Sequence, residues 1–198
     1  MYEVNDKITF LEGRLSQKRY RHSCNVARAA EQLAKQYGAD AEKAYFAGLL
    51  HDVCKEIPFE EQYQMMQAGD YPPDLAELHS RKLWHGIAGA YFIREQFGVT
   101  DRDILNAVRF HTVGRAEMSL LEEIIYIADM ISDERDYKGV DKMRRLAQKD
   151  LQAAMLEALQ DAIASVMKKD GLLSQNTIEA YNYYILKAQE QKTIIIKK

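Results

Sequence analysis

An all-α fold is predicted by three observations. Apolar residues recur at three- and four-residue steps through most long stretches of the 198-residue chain. Only three prolines and ten glycines interrupt it. Gly38, Gly69, Pro72-Pro73, Gly98 and Gly171 fall where the periodicity lapses. In the first clear segment Val26, Ala30, Leu33, Ala34 and Tyr37 line one face, and Gly38 stands where a C-cap would. Asp40 is the N-cap of the next helix, which carries Ala44, Ala47, Leu50, His51 and Cys54 inward and stops before Pro58. Phe59, Tyr63 and Met66 predict a short third helix, ended by Gly69 and Pro72-Pro73. Trp84, Ala88, Tyr91 and Phe92 predict a fourth, closing near Gly98, and Ile104, Ala107, Val108 and His111 a fifth. Ser119 and Glu122 form a capping-box pattern that opens a sixth, running through Ile125 to Asp129. Val140 to Lys168 reads as the longest helix, closed by Gly171. A last helix begins near Thr177 and carries Ile178, Tyr181 and Ile185. Thr193 to Lys198, with Ile194 to Ile196 in a row, reads as a short strand or a partner-seeking tail. With no internal repeat or low-complexity linker, one domain over 1–198 is expected.

Composition narrows the function classes. A hydrophobic content of 47% with 29% charged residues is that of an ordinary globular domain. A net charge of −3 gives no overall attraction to nucleic acid, yet it leaves room for a local basic pocket. Two cysteines, Cys24 and Cys54, make no disulfide framework and point to a reducing compartment. Met1 to Phe10 is mixed and polar, unlike a signal peptide, and no apolar run approaches the roughly 20 residues that span a bilayer. The expectation is a cytoplasmic protein without nucleic-acid or membrane partners, with a homodimer left open.

The five histidines carry the chemical signal. His22 lies four residues before Val26 and extends that inward face; Arg19 is one turn earlier. His51 is followed by Asp52, and Asp129 lies four residues after Ile125 on an apolar helix. A buried carboxylate needs a partner, and a metal ion is a fitting one. Imidazole and carboxylate donors without thiolate suit iron, manganese, cobalt, zinc or magnesium. Such an ion leaves positions for water and a phosphoryl oxygen, acidifies that water and polarises phosphorus. Lys55, one turn beyond His51, and Arg19 can meet a bound phosphate. His85 and His111 can orient phosphate oxygens, donate a proton to the leaving group or bind a second metal.

Blander readings hold elsewhere. His79, among Glu77, Ser80 and Arg81, reads as a surface residue, and Cys24 and Cys54 as small packing residues. Tyr181, Tyr183 and Tyr184 read as packing. Arg109, Arg115 and Lys142 to Arg145 read as solvated surface, with Arg109 near enough to His111 to stay in view.

On these residues the chain resembles the HD-domain phosphohydrolase superfamily and, within it, the bacterial YqeK family of symmetrical dinucleoside tetraphosphate hydrolases. The resemblance is carried by Arg19-Tyr-Arg-His22, Leu50-His-Asp-Val-Cys-Lys55, Trp84-His-Gly-Ile-Ala88, His111-Thr-Val-Gly114 and Tyr126-Ile-Ala-Asp-Met-Ile131 with Arg135. Asp170-Gly-Leu-Leu and Thr177-Ile-Glu-Ala-Tyr-Asn182 match its C-terminal signature, Tyr181 departing from the arginine of that pattern. It implies an HD core over about 17–135, with helices over 140–190 completing a nucleotide pocket. It implies iron held by His22, His51, Asp52 and Asp129, and phosphates and sugar facing Arg19, His22, Lys55, His85, His111 and Arg135. Leu172, Leu173, Ser174, Gln175, Asn176 and Thr177 would wall the base. Asp52, Lys55, His85 and His111 form the implied catalytic set. The implied reaction splits diadenosine tetraphosphate into two ADP. Two alternatives remain at this stage: another nucleotide as substrate (a nucleoside monophosphate, a deoxynucleoside triphosphate or a cyclic dinucleotide), or a non-catalytic nucleotide-binding adaptor.

Overall fold

The computed structural model describes residues 4–196, and the side chains of 6–190. Among the described residues eleven helices follow one another without a strand. They are α1 (Val4–Arg14), α2 (Gln17–Tyr37), α3 (Ala41–Leu50), α4 (Phe59–Ala68), α5 (Leu75–His79), α6 (Trp84–Phe97), α7 (Arg102–Phe110), α8 (Leu120–Ile131), α9 (Val140–Lys149), α10 (Leu151–Met167) and α11 (Gln175–Ile196). None is long and apolar enough to cross a membrane.

The central element is α8. Leu121, Ile124, Ile125, Ile127 and Ala128 are all buried, so the helix is apolar on nearly every side and neighbours must surround it. Helices α2 and α3 cover one flank, α7 another, and α9 and α10 a third. Two antiparallel helix pairs then fix the functional end. Gly38, left-handed at φ 77°, turns α2 into α3, which Asp40 caps through the amide of Lys43. Gly98, at φ 63°, turns α6 toward α7, which Asp101 caps. In each pair the start of the first helix meets the end of the second. His22 therefore meets His51, and His85 meets His111.

Several expectations are corrected. The second helix does not run to Cys54: it ends at Leu50, with His51 as C-cap and residues 51–56 in turns, because His51 Nδ1 bonds back to the carbonyl of Gly48 at 2.7 Å. The stretch from Val140 is two helices, not one. Asp150 adopts an extended conformation (φ −156°) and its side chain caps Ala153, which ends α9 and starts α10. The last helix opens at Gln175, two residues early, and its backbone stays helical through Ile196 in place of a strand. A partner-seeking role for the side chains of Ile194 to Ile196 lies outside the described residues. Helices α1 and α5 are additional to those expected; α5 is announced by a capping box between Asp74 and Glu77.

Arg109 is not surface. It is 1% exposed and donates from both Nη atoms to Glu77, at 2.6 and 2.9 Å. The pair is closed inside the protein because an unmatched charge there would be costly. Glu77 also offers its carbonyl to the Trp84 indole at 2.7 Å, which ties α5 to the start of α6 just before His85.

Candidate metal centre

Donor atoms from three places in the chain, His22, His51-Asp52 and Asp129, come together. His22 Nε2 lies 3.1 Å from Asp129 Oδ1, 3.2 Å from His51 Nε2 and 3.5 Å from Asp52 Oδ2. His51 Nε2 lies 3.5 Å from the same Asp52 oxygen and 3.9 Å from Asp129 Oδ1. Donors held about 2.1 Å from a common ion stand roughly 3.0 to 3.4 Å apart, so the grouping of His22, His51 and Asp129 suits a shared cation; Asp52, which meets His22 and His51 through Oδ2, falls in a second such group with His51 and His111.

The orientation of the rings supports that fit. His51 donates Nδ1–H to the Gly48 carbonyl, and His22 directs Nδ1 at Glu134. Both rings are thereby fixed with Nε2 turned to the centre, the arrangement of metal-binding imidazoles. Helices α3 and α8 also end here, with His51 at the C-cap of one and Asp129 in the last turn of the other. Helix C-termini are electronegative and favour a cation.

Asp52 faces two ways. Its Oδ1 is buried without a hydrogen bond in good alignment, although His85 Nε2 lies at 3.2 Å and His111 Nε2 at 3.6 Å. His85 and His111 present their Nε2 atoms to each other at 3.1 Å, and His111 Nδ1 bonds to the Val108 carbonyl at 2.7 Å, as His51 does to Gly48. Lys55 Nζ stands 3.1 Å from His85 Nε2 and 3.9 Å from Asp52 Oδ1. Other buried acids are matched by donors: Glu77 by Arg109, Glu122 by Arg115 and the Ser119 amide, Glu123 by Tyr184 and Gln152. Asp52 and Asp129 each pair with one arginine, Arg19 and Arg135, and in addition face several imidazoles, a donor set that suits a cation.

Within the protein itself the charges of the centre are balanced. Burial drives His51 and His85 each down to about 4, so both are neutral at pH 7. Burial opposes ionisation of Asp52, but His51, His111 and His85 outweigh it and hold the carboxyl well below its usual range. For Asp129, burial is likewise outweighed, by His22, His51 and Arg135. Burial would lower His22, but Asp129 and Glu134 raise it above 6.5. Arg19 pairs with Asp52 Oδ2, and Arg135 with the carboxylate of Asp129 and, at 2.7 Å, its carbonyl.

The residues singled out from sequence thus fall into two groups. His22, His51 and Asp129 stand together, with Asp52 Oδ2 against the two histidines and Arg19 and Arg135 at the rim; Lys55, His85 and His111 gather on the other oxygen of Asp52. Leu172 to Thr177 lie on the His111 side. Thr177 donates to the carbonyl of Val113 at 2.8 Å, Ser174 donates to Asp74, Leu172 is exposed, and Gln175 pairs with Glu179. Sequence reading missed Glu134 and Asn25. Glu134 joins His22, Asn25 and Ser132 in one network and is brought down to about 2 because those partners outweigh burial. Asn25 shows a weak signal, three residues after His22 on one helix face; Glu134 lies in a turn, where no periodicity marks it.

Comparison with known proteins agrees with this geometry. The HD domain model matches residues 19–133. The symmetrical bis(5'-nucleosyl)-tetraphosphatase of Bacillus subtilis is 37% identical over 91% of this chain and 96% of its own. The protein of the same name from Halalkalibacterium halodurans is 37% identical over 93% of this chain and 97% of its own. A solved structure, a predicted HD superfamily hydrolase involved in NAD metabolism from Clostridium acetobutylicum, superposes with a TM-score of 0.90 at 42% identity, covering 94% of this chain and 99% of that one. By donor arrangement, domain match and near full-length similarity alike, the chain belongs to the HD-domain superfamily of metal-dependent hydrolases and, within it, to the YqeK family.

Proposed function

We propose that the chain hydrolyses diadenosine tetraphosphate symmetrically, releasing two ADP. The observation that carries this reading is the convergence of His22, His51, Asp52 and Asp129 beneath a rim of Arg19, Arg135 and Lys55. The name of the two relatives supplies the substrate. A bound ion, for which we favour iron over manganese, cobalt, magnesium or zinc, supplies Lewis acidity at phosphorus and a more acidic attacking water.

The remaining work falls to side chains. Arg19 and Arg135 sit against the carboxylates of the centre and can turn to phosphate oxygens with paired donors. Burial lowers the pKa of Lys55, and its ammonium stands where charge develops on the departing ADP. His85 and His111 orient the phosphate chain; with His85 neutral at pH 7, the proton for the leaving oxygen falls to His111 or Lys55. Leu172 to Thr177, at the start of α11, wall the base, so that helices over 140–190 complete a pocket on the core over 17–135. The free cysteines Cys24 and Cys54 fit a reducing, cytoplasmic setting.

Anaerobic incubation of the iron-loaded protein with diadenosine tetraphosphate, with products separated by chromatography, tests the reading. ADP alone, abolished in Asp52→Ala, is the expected result. ATP with AMP would overturn the symmetry, and no turnover with iron or manganese would overturn the substrate.

A further inference from the structure

A substrate with two identical halves, cut at its centre, must extend to both sides of the ion. Leu172 to Thr177, His85 and His111 lie on one side. On the other, a cavity of about 410 Å³ opens beside His22. That volume lies within the range of nucleotide and drug-sized pockets, roughly 300 to 1,000 Å³. Its wall carries Lys18, Arg19, Arg21, Arg135 and the ring of Tyr137.

The charges of this wall favour phosphate. Two acids, Glu134 and Asp136, also line it, but Glu134 is engaged by His22, Asn25 and Ser132. Lys18 and Arg21 are exposed and form no ion pair among the described residues. Arg19 and Arg135 are held by Asp52 and Asp129, the two carboxylates that a cation would occupy. Binding of an ion would thus weaken their hold on both guanidinium groups at the mouth of the cavity. Tyr137, two residues after Arg135 and 37% exposed, offers an aromatic face of the kind on which a base stacks.

Resting on the reading above, we propose that this cavity receives the second nucleotide half. Its adenine stacks on Tyr137, and its two phosphates meet Arg135, Arg19, Lys18 and Arg21. The cavity is then a specificity site: it distinguishes a dinucleotide from a mononucleotide carrying the same four phosphates.

The test compares diadenosine tetraphosphate as substrate with adenosine 5'-tetraphosphate as competitive inhibitor, on the iron-loaded full chain. The two share every phosphate and differ only in the second adenosine. Loss of a stacked base costs about tenfold. Tyr137→Ala is therefore expected to raise KM for the dinucleotide about tenfold and to leave Ki for the tetraphosphate unchanged. Tyr137→Phe, which keeps the ring face, should recover the KM; this separates stacking from a folding defect. Lys18→Ala combined with Arg21→Ala should raise KM and Ki together. If Tyr137→Ala moves both constants equally, or neither, the proposal fails. Failure of the wild-type protein to turn over the dinucleotide would remove the reading on which the proposal rests, and the proposal with it.

Discussion

A Cβ built on Gly48 would stand 2.9 Å from the Cα of Ala27. The backbones of α2 and α3 touch at this point, and the carbonyl of the same glycine orients His51. The contact sets the distance between His22 and His51. Gly48→Ala should force the helices apart, cost about 1 to 3 kcal/mol of stability as an overpacked core does, and lower metal affinity at the same time. Thermal melts of the metal-free and loaded protein check both effects. An unchanged loading with lowered stability would show that the spacing is not critical to the centre.

Glu134 acts on the centre through His22. Removing an outer partner of a metal-bound imidazole generally costs 10- to 100-fold in affinity, a range of roughly 1.4 to 2.7 kcal/mol. Glu134→Ala should lose metal within that range in a competition titration with a chelator, and Glu134→Gln, which still offers an acceptor, should lose less. A cobalt-substituted sample should show a changed visible spectrum in the alanine variant. Identical affinity in all three proteins would assign Glu134 to loop structure alone.

Acid should unfold the metal-free protein early. His51 and His85 bind protons near pH 4 in the folded chain and near 6.5 when unfolded. Between those values the unfolded state holds more protons, so stability rises with pH and is lost as pH falls from 6.5 toward 4. Each residue adds a slope of up to about 1.4 kcal/mol per pH unit in that window. His22, whose pKa is raised, contributes in the opposite sense only above 6.5. Urea midpoints measured from pH 4 to pH 8 should therefore rise steeply up to about 6.5 and then level or decline. A flat profile below 6.5 would contradict burial of these rings as neutral groups.

The fold was largely legible because most helices announce themselves by period and cap: Gly38, Asp40 and the Ser119–Glu122 box each stand where the chain requires them. The break at Asp150 was not, because the apolar period resumes after it and one extended residue leaves no compositional trace. Placing the donors followed from helix faces, as for His22 and Asp129. Arg109 was misread for a related reason. A cation on an amphipathic helix looks solvated until its partner is known, and Glu77 lies 32 positions away in a helix of five residues. Glu134 was out of reach of periodicity altogether, being set by the turn that follows α8.

The carboxyl group of Asp52 bridges the two histidine pairs: Oδ2 serves His22 and His51, Oδ1 faces His85 and His111, and the rings of His51 and His111 meet edge to face with centroids 5.0 Å apart. Each pair stands where the two helices of its own hairpin meet. The gap between them is set by how the hairpins pack on each other and on α8. A few degrees of rotation would lengthen or shorten that gap while leaving both pairs intact. On the proposed reading the architecture is a caliper, its jaws the two histidine pairs and its setting the core residues packed between the hairpins, far from any donor atom.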